Sequence, residues 1–144
     1  GADHAGYQLK ESLKRLLDEL GLLYEDFGTT NGQSVDYPDF AQAVATGVAT
    51  GRFDRGILVC GTGVGMAIAA NKVNGVRSAA IVDTDTAKLS REHNDLNVLA
   101  LGARVLPESR ARDIVRTFLQ TPFEGGRHAG RVAKIHAIEP STAS

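Results

Sequence analysis

The apolar positions Leu9, Leu13, Leu16, Leu17 and Leu20 recur every three or four places. That is the spacing of one helical face, and Gly21 stands where the helix should stop. The pattern then shortens. "LLYEDF" (Leu22 to Phe27) reads as a strand, and "GTTNGQSVDYPD" (Gly28 to Asp39) as a long polar loop. Phe40, Val44 and Val48 mark a second helix. "RGILVC" (Arg55 to Cys60) is a short apolar run, the signature of a strand buried on both faces. A glycine turn follows, then a helix through Met66 to Lys72. "GVRSAAIV" (Gly75 to Val82) predicts another strand. "TDTAKLSREHND" predicts a helix capped by Thr84 and ending near His93. "NVLALG" (Asn97 to Gly102) is strand again, and Pro107 opens a helix with Ile114, Val115 and Phe118 on its apolar face. A last helix is expected from about Arg127, with a loose tail from about residue 139.

Strands alternate with helices, and the strands are continuous apolar runs. This predicts one α/β domain over residues 1–144: a doubly wound, parallel, five-stranded sheet with helices on both faces, in three layers. The chain opens "GADHAGY" without an initiator methionine, although a strand should precede such a turn. Residues ahead of Gly1 are therefore expected, and without them the first strand is a stub. Ligands of such sheets sit at the carboxyl ends of the strands. Attention falls on Asp3 and His4, Gly28 to Thr30, Cys60 to Gly65, Asp83 and Thr84, and Gly102 to Arg104.

Composition narrows the classes. A net charge of -1 argues against a general nucleic-acid binder. No apolar run approaches a membrane span and no signal peptide is visible, so a cytoplasmic, non-membrane protein is expected. A single cysteine excludes an internal disulfide and a multi-cysteine metal site. The four histidines show no paired ligand spacing such as His-Glu-x-x-His, and no metal is expected.

The chemistry centres on "ILVCGTGVGMAIAANK" (Ile57 to Lys72). Gly61, Gly63 and Gly65 between a strand and a helix let backbone N–H groups approach an anion. No Gly-Lys-Ser/Thr closes the loop, and its spacing differs from the dinucleotide fingerprint. The same glycines also suit a plain tight turn. Cys60 precedes the helix, whose N-terminus favours a thiolate able to act as nucleophile or base. Cysteine is equally a common buried small residue. Thr62 adds a hydroxyl that can donate and accept. Asp3 and His4 can bind a sugar hydroxyl or a phosphate, or Asp3 can simply cap the next helix. His93, near a helix C-terminus, is favoured in its protonated form and so suits an acid; a plain capping contact is the alternative. Arg127 and Arg131, four apart, share a helical face with His128 nearby and can clamp a phosphate, unless they form an ordinary basic surface. Arg104 follows a strand and points toward the ligand edge.

Taken in order, "GADHAGY", "DYPDFA", "ILVCGTGVGMAIAANK", "LSREHNDLNVLALGARV" and "FEGGRHAGRV" resemble type B ribose-5-phosphate isomerases, from Gly1 to about Glu139. The wider family includes galactose-6-phosphate and allose-6-phosphate isomerases. The resemblance implies a Rossmann-like sheet, no metal and no organic cofactor. It also implies a homodimer that can pair into tetramers, with active sites shared between subunits. It assigns Cys60 as the base moving a proton between C1 and C2, Thr62 as a proton shuttle between the oxygens, and His93 to ring opening. Met66 stands where another branch has glutamate, which places the chain in the cysteine branch. Asp3, His4, Tyr37 and Asn94 match sugar or phosphate contacts. Gly61, Gly63, Val64 and Gly65 supply backbone donors, and Arg104, Arg127 and Arg131 match phosphate ligands. A six-carbon sugar-phosphate isomerase and a non-catalytic sugar-phosphate-binding module are the alternatives. A nucleotide-binding domain fits the loop spacing poorly.

Overall fold

The computed structural model describes residues 1–141; positions 142–144 of the expected tail lie outside the described residues. Three parallel strands form the sheet: β1 (Gly56–Cys60), β2 (Ser78–Ala80) and β3 (Val98–Gly102), in the order β1-β3-β2. Gly56 pairs with Val98 and Cys60 with Gly102, so the two strands end level. Six helices surround them: α1 (Tyr7–Glu19), α2 (Tyr37–Ala49), α3 (Val64–Ala70), α4 (Thr84–Asn94), α5 (Glu108–Gln120) and α6 (Arg127–Ala137).

Side chains along β3 alternate between two cores, as the period of a strand requires. Leu99 and Leu101 join Leu16, Val59, Ile114 and Phe118 under α1 and α5. Val98 and Ala100 join Val44, Leu58, Cys60 and Met66 under α2 and α3. The result is three layers, and the alternation along β1 aims Cys60 at the α2–α3 side.

Among the described residues the sheet has three strands rather than the five expected. Gly1–Asp3 make a single bridge, Ala2 beside Val59, fixed by hydrogen bonds from Val59 N–H to Gly1 O and from Asp3 N–H to Val59 O. Leu22–Phe27 joins no ladder, and Leu23 is wholly exposed. A slot of about 850 Å³ lies between that segment and the outer edge of β1. The helix after β2 is capped by Asp83 rather than Thr84: the extended Asp83 accepts from Thr86 N–H at 2.6 Å. The start of the expected loose tail is tied down. Glu139 accepts from Gly75 N–H at 2.8 Å, and Pro140 O accepts from the Asn74 amide at 3.1 Å.

The rim of the slot carries a charge cluster. Lys10, nearly buried, donates to Asp26 at 2.6 Å and to Glu11 at 3.0 Å. Burial pushes the Asp26 carboxyl up, but hydrogen bonds from Lys10, Gly28 N–H and Lys14 outweigh it and hold it below the usual carboxylate range. A carboxylate depressed on folding stabilises the fold above its unfolded pKa of about 3.9 and loses that contribution as pH falls below it. Asp26→Asn should therefore cost about 1–2 kcal/mol near neutrality, with Glu11 still holding Lys10. In urea melts the gap to wild type should narrow below about pH 4.

Candidate active site

Cys60 ends β1 and is 5% exposed, packed with Met66 and Ala100 on its apolar side. Its Sγ accepts a hydrogen bond from Gly63 N–H at 3.2 Å. The donor is aimed by Gly63 itself, whose φ of +80° is the left-handed conformation that glycine adopts without strain. Thr62 Oγ1 accepts from Val64 N–H at 3.3 Å, leaving its own proton free to donate. Gly65 and Met66 follow in the first turn of α3, and among the described residues their N–H groups have no acceptor. Thiol, hydroxyl and open backbone donors thus converge within one loop.

Two predicted residues enclose that loop. Tyr37, the first residue of α2, packs so closely on Gly65 that a Cβ there would meet its ring at 2.5 Å. Arg104, after β3, reaches back across Gly61, and a Cβ at Gly61 would lie 3.2 Å from its Nη1. Asp3 is buried, and its Oδ1 accepts from Gly6 N–H at 3.0 Å, closing the turn ahead of α1. His4 Nδ1 accepts from Val35 N–H at 3.2 Å, which places the ring proton on Nε2 and ties the 28–36 loop to this edge.

A second group lies at the end of α4. His93 stacks on His128, with ring centroids 4.2 Å apart and planes at 14°. Asn94, the last residue of α4, is exposed beside it. Arg127 and Arg131 stand on α6, exposed, on either side of His128 in sequence. Among the described residues, the Arg104, Arg127 and Arg131 side chains make no hydrogen bond or ion pair, so all three guanidinium groups are open to an anion. Burial, then His93, Arg127 and Arg131, push the His128 imidazolium down, against the pull of Glu124. No hydrogen bond, ion pair or ring contact among the described residues joins this group to the Cys60 loop.

Sequence reasoning passed over three residues around His93. His128 was read only as a neighbour of the arginines, yet with Val132 it forms the buried face of α6. Glu124, four residues before His128, places a carboxylate oxygen 3.6 Å from its Nε2. Arg91, 2% exposed, donates to Leu96 O at 2.6 Å, Asp95 at 2.8 Å and Thr121 O at 3.0 Å. It binds the end of α4 to the segment leading into α6 and so sets the His93–His128 stack. The signal was present: Arg91 and Asp95 are four apart, an ion-pair spacing. Arg91→Met should leave the buried Leu96 carbonyl and the half-buried Thr121 carbonyl unpaired and cost about 2–4 kcal/mol in denaturant unfolding.

The slot of about 850 Å³ beside β1 is a separate cavity. It is mostly apolar and holds none of the predicted site residues. Asp3, His4, the Cys60 loop and Arg104 instead gather at the carboxyl ends of the strands, where an α/β sheet binds its ligands, whereas His93 and Asn94 end the helix that leads into the start of β3. No described helix is long and apolar enough to cross a membrane.

Comparison with known proteins gives the family. The Ribose/Galactose Isomerase family profile matches residues 1–135. The chain is 48% identical to the ribose-5-phosphate isomerase B of Escherichia coli over 139 residues, covering 96% of this chain and 93% of that one. It is 43% identical over 140 residues to a D-erythrulose-4-phosphate isomerase of Pectobacterium atrosepticum, covering 96% and 92%. A solved ribose-5-phosphate isomerase B from Clostridium thermocellum superposes with a TM-score of 0.94 at 53% identity, covering 96% and 93%. Sequence, sheet and strand-end site lead to one conclusion: this chain is a member of the ribose/galactose isomerase family.

Proposed function

We propose that the chain interconverts ribose 5-phosphate and ribulose 5-phosphate through a cis-enediolate, with Cys60 as base. The observation that carries this reading is the free thiol at the end of β1, accepting an N–H from the loop that also presents Thr62 and open backbone donors. In the open-chain aldose, the Cys60 thiolate takes the proton from C2. The C2–H electrons form the C1–C2 double bond, and the carbonyl pair moves onto O1. The loop N–H groups steady that oxygen, and Thr62 passes a proton between O2 and O1. The thiol then returns its proton to C1, leaving the ketone at C2. Losing one such oxyanion donor typically costs about 3 kcal/mol of barrier.

Ring opening must come first. His93 gives a proton to the ring oxygen as its bond to C1 breaks, and the Asp3 carboxylate takes the proton of the C1 hydroxyl, leaving the aldehyde at C1. Asp3 keeps one carboxylate oxygen beyond its bond to Gly6, and His4 keeps its Nε2–H, for the sugar hydroxyls. Tyr37 and Asn94 border the sugar. Arg104, Arg127 and Arg131 hold the phosphate, whose binding energy fixes C1 and C2 against the sulfur. No organic cofactor or metal enters these steps.

The separation between the Cys60 loop and the His93 group supports a site built from two subunits of a homodimer, which can pair further into a tetramer. A chain of this chemistry belongs in the cytoplasm with its phosphorylated substrates.

The test is exchange in D₂O. Ribose 5-phosphate should gain deuterium at C1 of the ribulose 5-phosphate formed; binding with no exchange leaves only a sugar-phosphate-binding module. Turnover of ribose 5-phosphate should exceed that of allose 6-phosphate and D-erythrulose 4-phosphate. A reversed order would reassign the substrate, as the Pectobacterium relative's name shows that chain length varies among relatives.

A further inference from the structure

Three side chains that the sequence keeps apart meet beside the two α6 arginines. His93 lies in the last turn of α4, Glu124 on the link between α5 and α6, and His128 in the first turn of α6. One ligand atom from each lies within 4.8 Å of the other two. Glu124 N–H also donates to Glu92 O at 3.1 Å, which pins the carboxylate beside the end of α4. A tetrahedral ion holds nitrogen and oxygen ligands at about 2.0–2.2 Å, and so at roughly 3.3–3.6 Å from one another. Closing the cluster therefore takes movements on the order of an ångström. The ring planes are nearly parallel, at 14°, and each nitrogen lone pair lies in its own ring plane, so one ring must turn about its Cβ–Cγ bond to share an ion with the other. His128 is buried and held. His93 is half-buried at a helix end, and Glu124 is exposed on a connection, so these two can adjust.

We propose that His93, Glu124 and His128 form a binding site for a borderline divalent cation of the Zn²⁺ type, and that its occupation inhibits the enzyme. Two imidazoles and one carboxylate make a donor set that suits Zn²⁺, whereas Mg²⁺ and Ca²⁺ prefer all-oxygen shells. The fourth position stays open to water. Arg127 and Arg131 on the same helix repel a cation, and Glu124 offsets one of those charges. The balance describes a site that answers to metal excess rather than one holding a resident ion. Inhibition follows because the ion occupies the imidazole lone pair that His93 needs for proton exchange; this half of the inference rests on the ring-opening role given above.

The test titrates the full-length, EDTA-stripped chain with Zn²⁺ alone by calorimetry, and with Co²⁺ by visible absorption. One ion should bind per chain. Co²⁺ should show d–d bands without a thiolate charge-transfer band. Glu124→Gln should keep the metal-free turnover, bind Zn²⁺ at least tenfold more weakly, and need correspondingly more Zn²⁺ for inhibition, which EDTA reverses. Wild-type affinity in both Glu124→Gln and His128→Asn would overturn the site, as would a thiolate band, which would place the metal on Cys60. Zn²⁺ bound with the ribose 5-phosphate rate unchanged would keep the site and overturn both the inhibition and the His93 assignment, so the two failures read differently.

Discussion

Cys60→Ala should remove isomerisation and leave sugar-phosphate binding nearly intact. The sulfur is the only group in the loop able to accept a proton from carbon, because Thr62 is a weak base and the neighbouring residues offer only N–H donors. Removing a positioned base typically costs about 10²–10⁴-fold, and a lone thiolate with no second base beside it belongs at the upper end. The phosphate arginines are untouched by the change, so affinity for ribose 5-phosphate should hold within a few-fold. Packing bounds the structural side effect. Cys60 is one small side chain among Leu58, Met66 and Ala100, and its loss should cost no more than about 1–2 kcal/mol. The paired measurements are steady-state turnover and calorimetric binding. A variant that turns over at the wild-type rate would move the base elsewhere, and one that also loses binding would make Cys60 structural.

His93→Asn separates two steps that share one active site. Ribose 5-phosphate is mainly a ring in water and has to be opened before C2 can be deprotonated. D-erythrulose 4-phosphate cannot close a furanose, because its terminal oxygen carries the phosphate. The variant should lose about 10²–10³-fold on ribose 5-phosphate, the scale of one general acid, and far less on the four-carbon substrate. Equal losses on both would turn His93 from a ring-opening acid into a positioning group for the enediolate. The same variant probes assembly. Cys60→Ala and His93→Asn chains should each retain at most about 1% of wild-type turnover on the cyclic substrate. Mixed and refolded together, they should regain roughly a quarter of wild-type activity if every site draws its sulfur from one subunit and its imidazole from the other.

How far the sequence carries the reader depends on how local each determinant is. The helices and β1 and β3 were legible because their partners lie on both faces and their periodicity shows it. Leu99 and Leu101 alternate with Val98 and Ala100 between two cores. Leu22–Phe27 has the composition of a strand but no neighbour along the slot, and strand formation is decided by pairing rather than by composition. The choice between Thr84 and Asp83 as cap turned on one residue, because both carry a side-chain acceptor. At the site, the glycine loop and its cysteine are contiguous and could be read directly. The His93–His128 stack joins residues 35 positions apart through the Arg91 clamp, and no local pattern encodes that contact. Asp3 shows how both readings can hold at once, with one oxygen closing a turn and the other left open.

The two ends of the site differ in stiffness. The sulfur sits on a strand bonded to β3 along one edge and to Gly1–Asp3 at its tip, among the least yielding atoms of the molecule. The three arginines instead hang on long stems in solvent, and each surrenders up to about 2 kcal/mol of rotamer freedom when an anion stills it. Under the proposed roles, a longer or shorter sugar phosphate should be accommodated at the arginines, while the sulfur end tolerates little displacement of the reacting carbons.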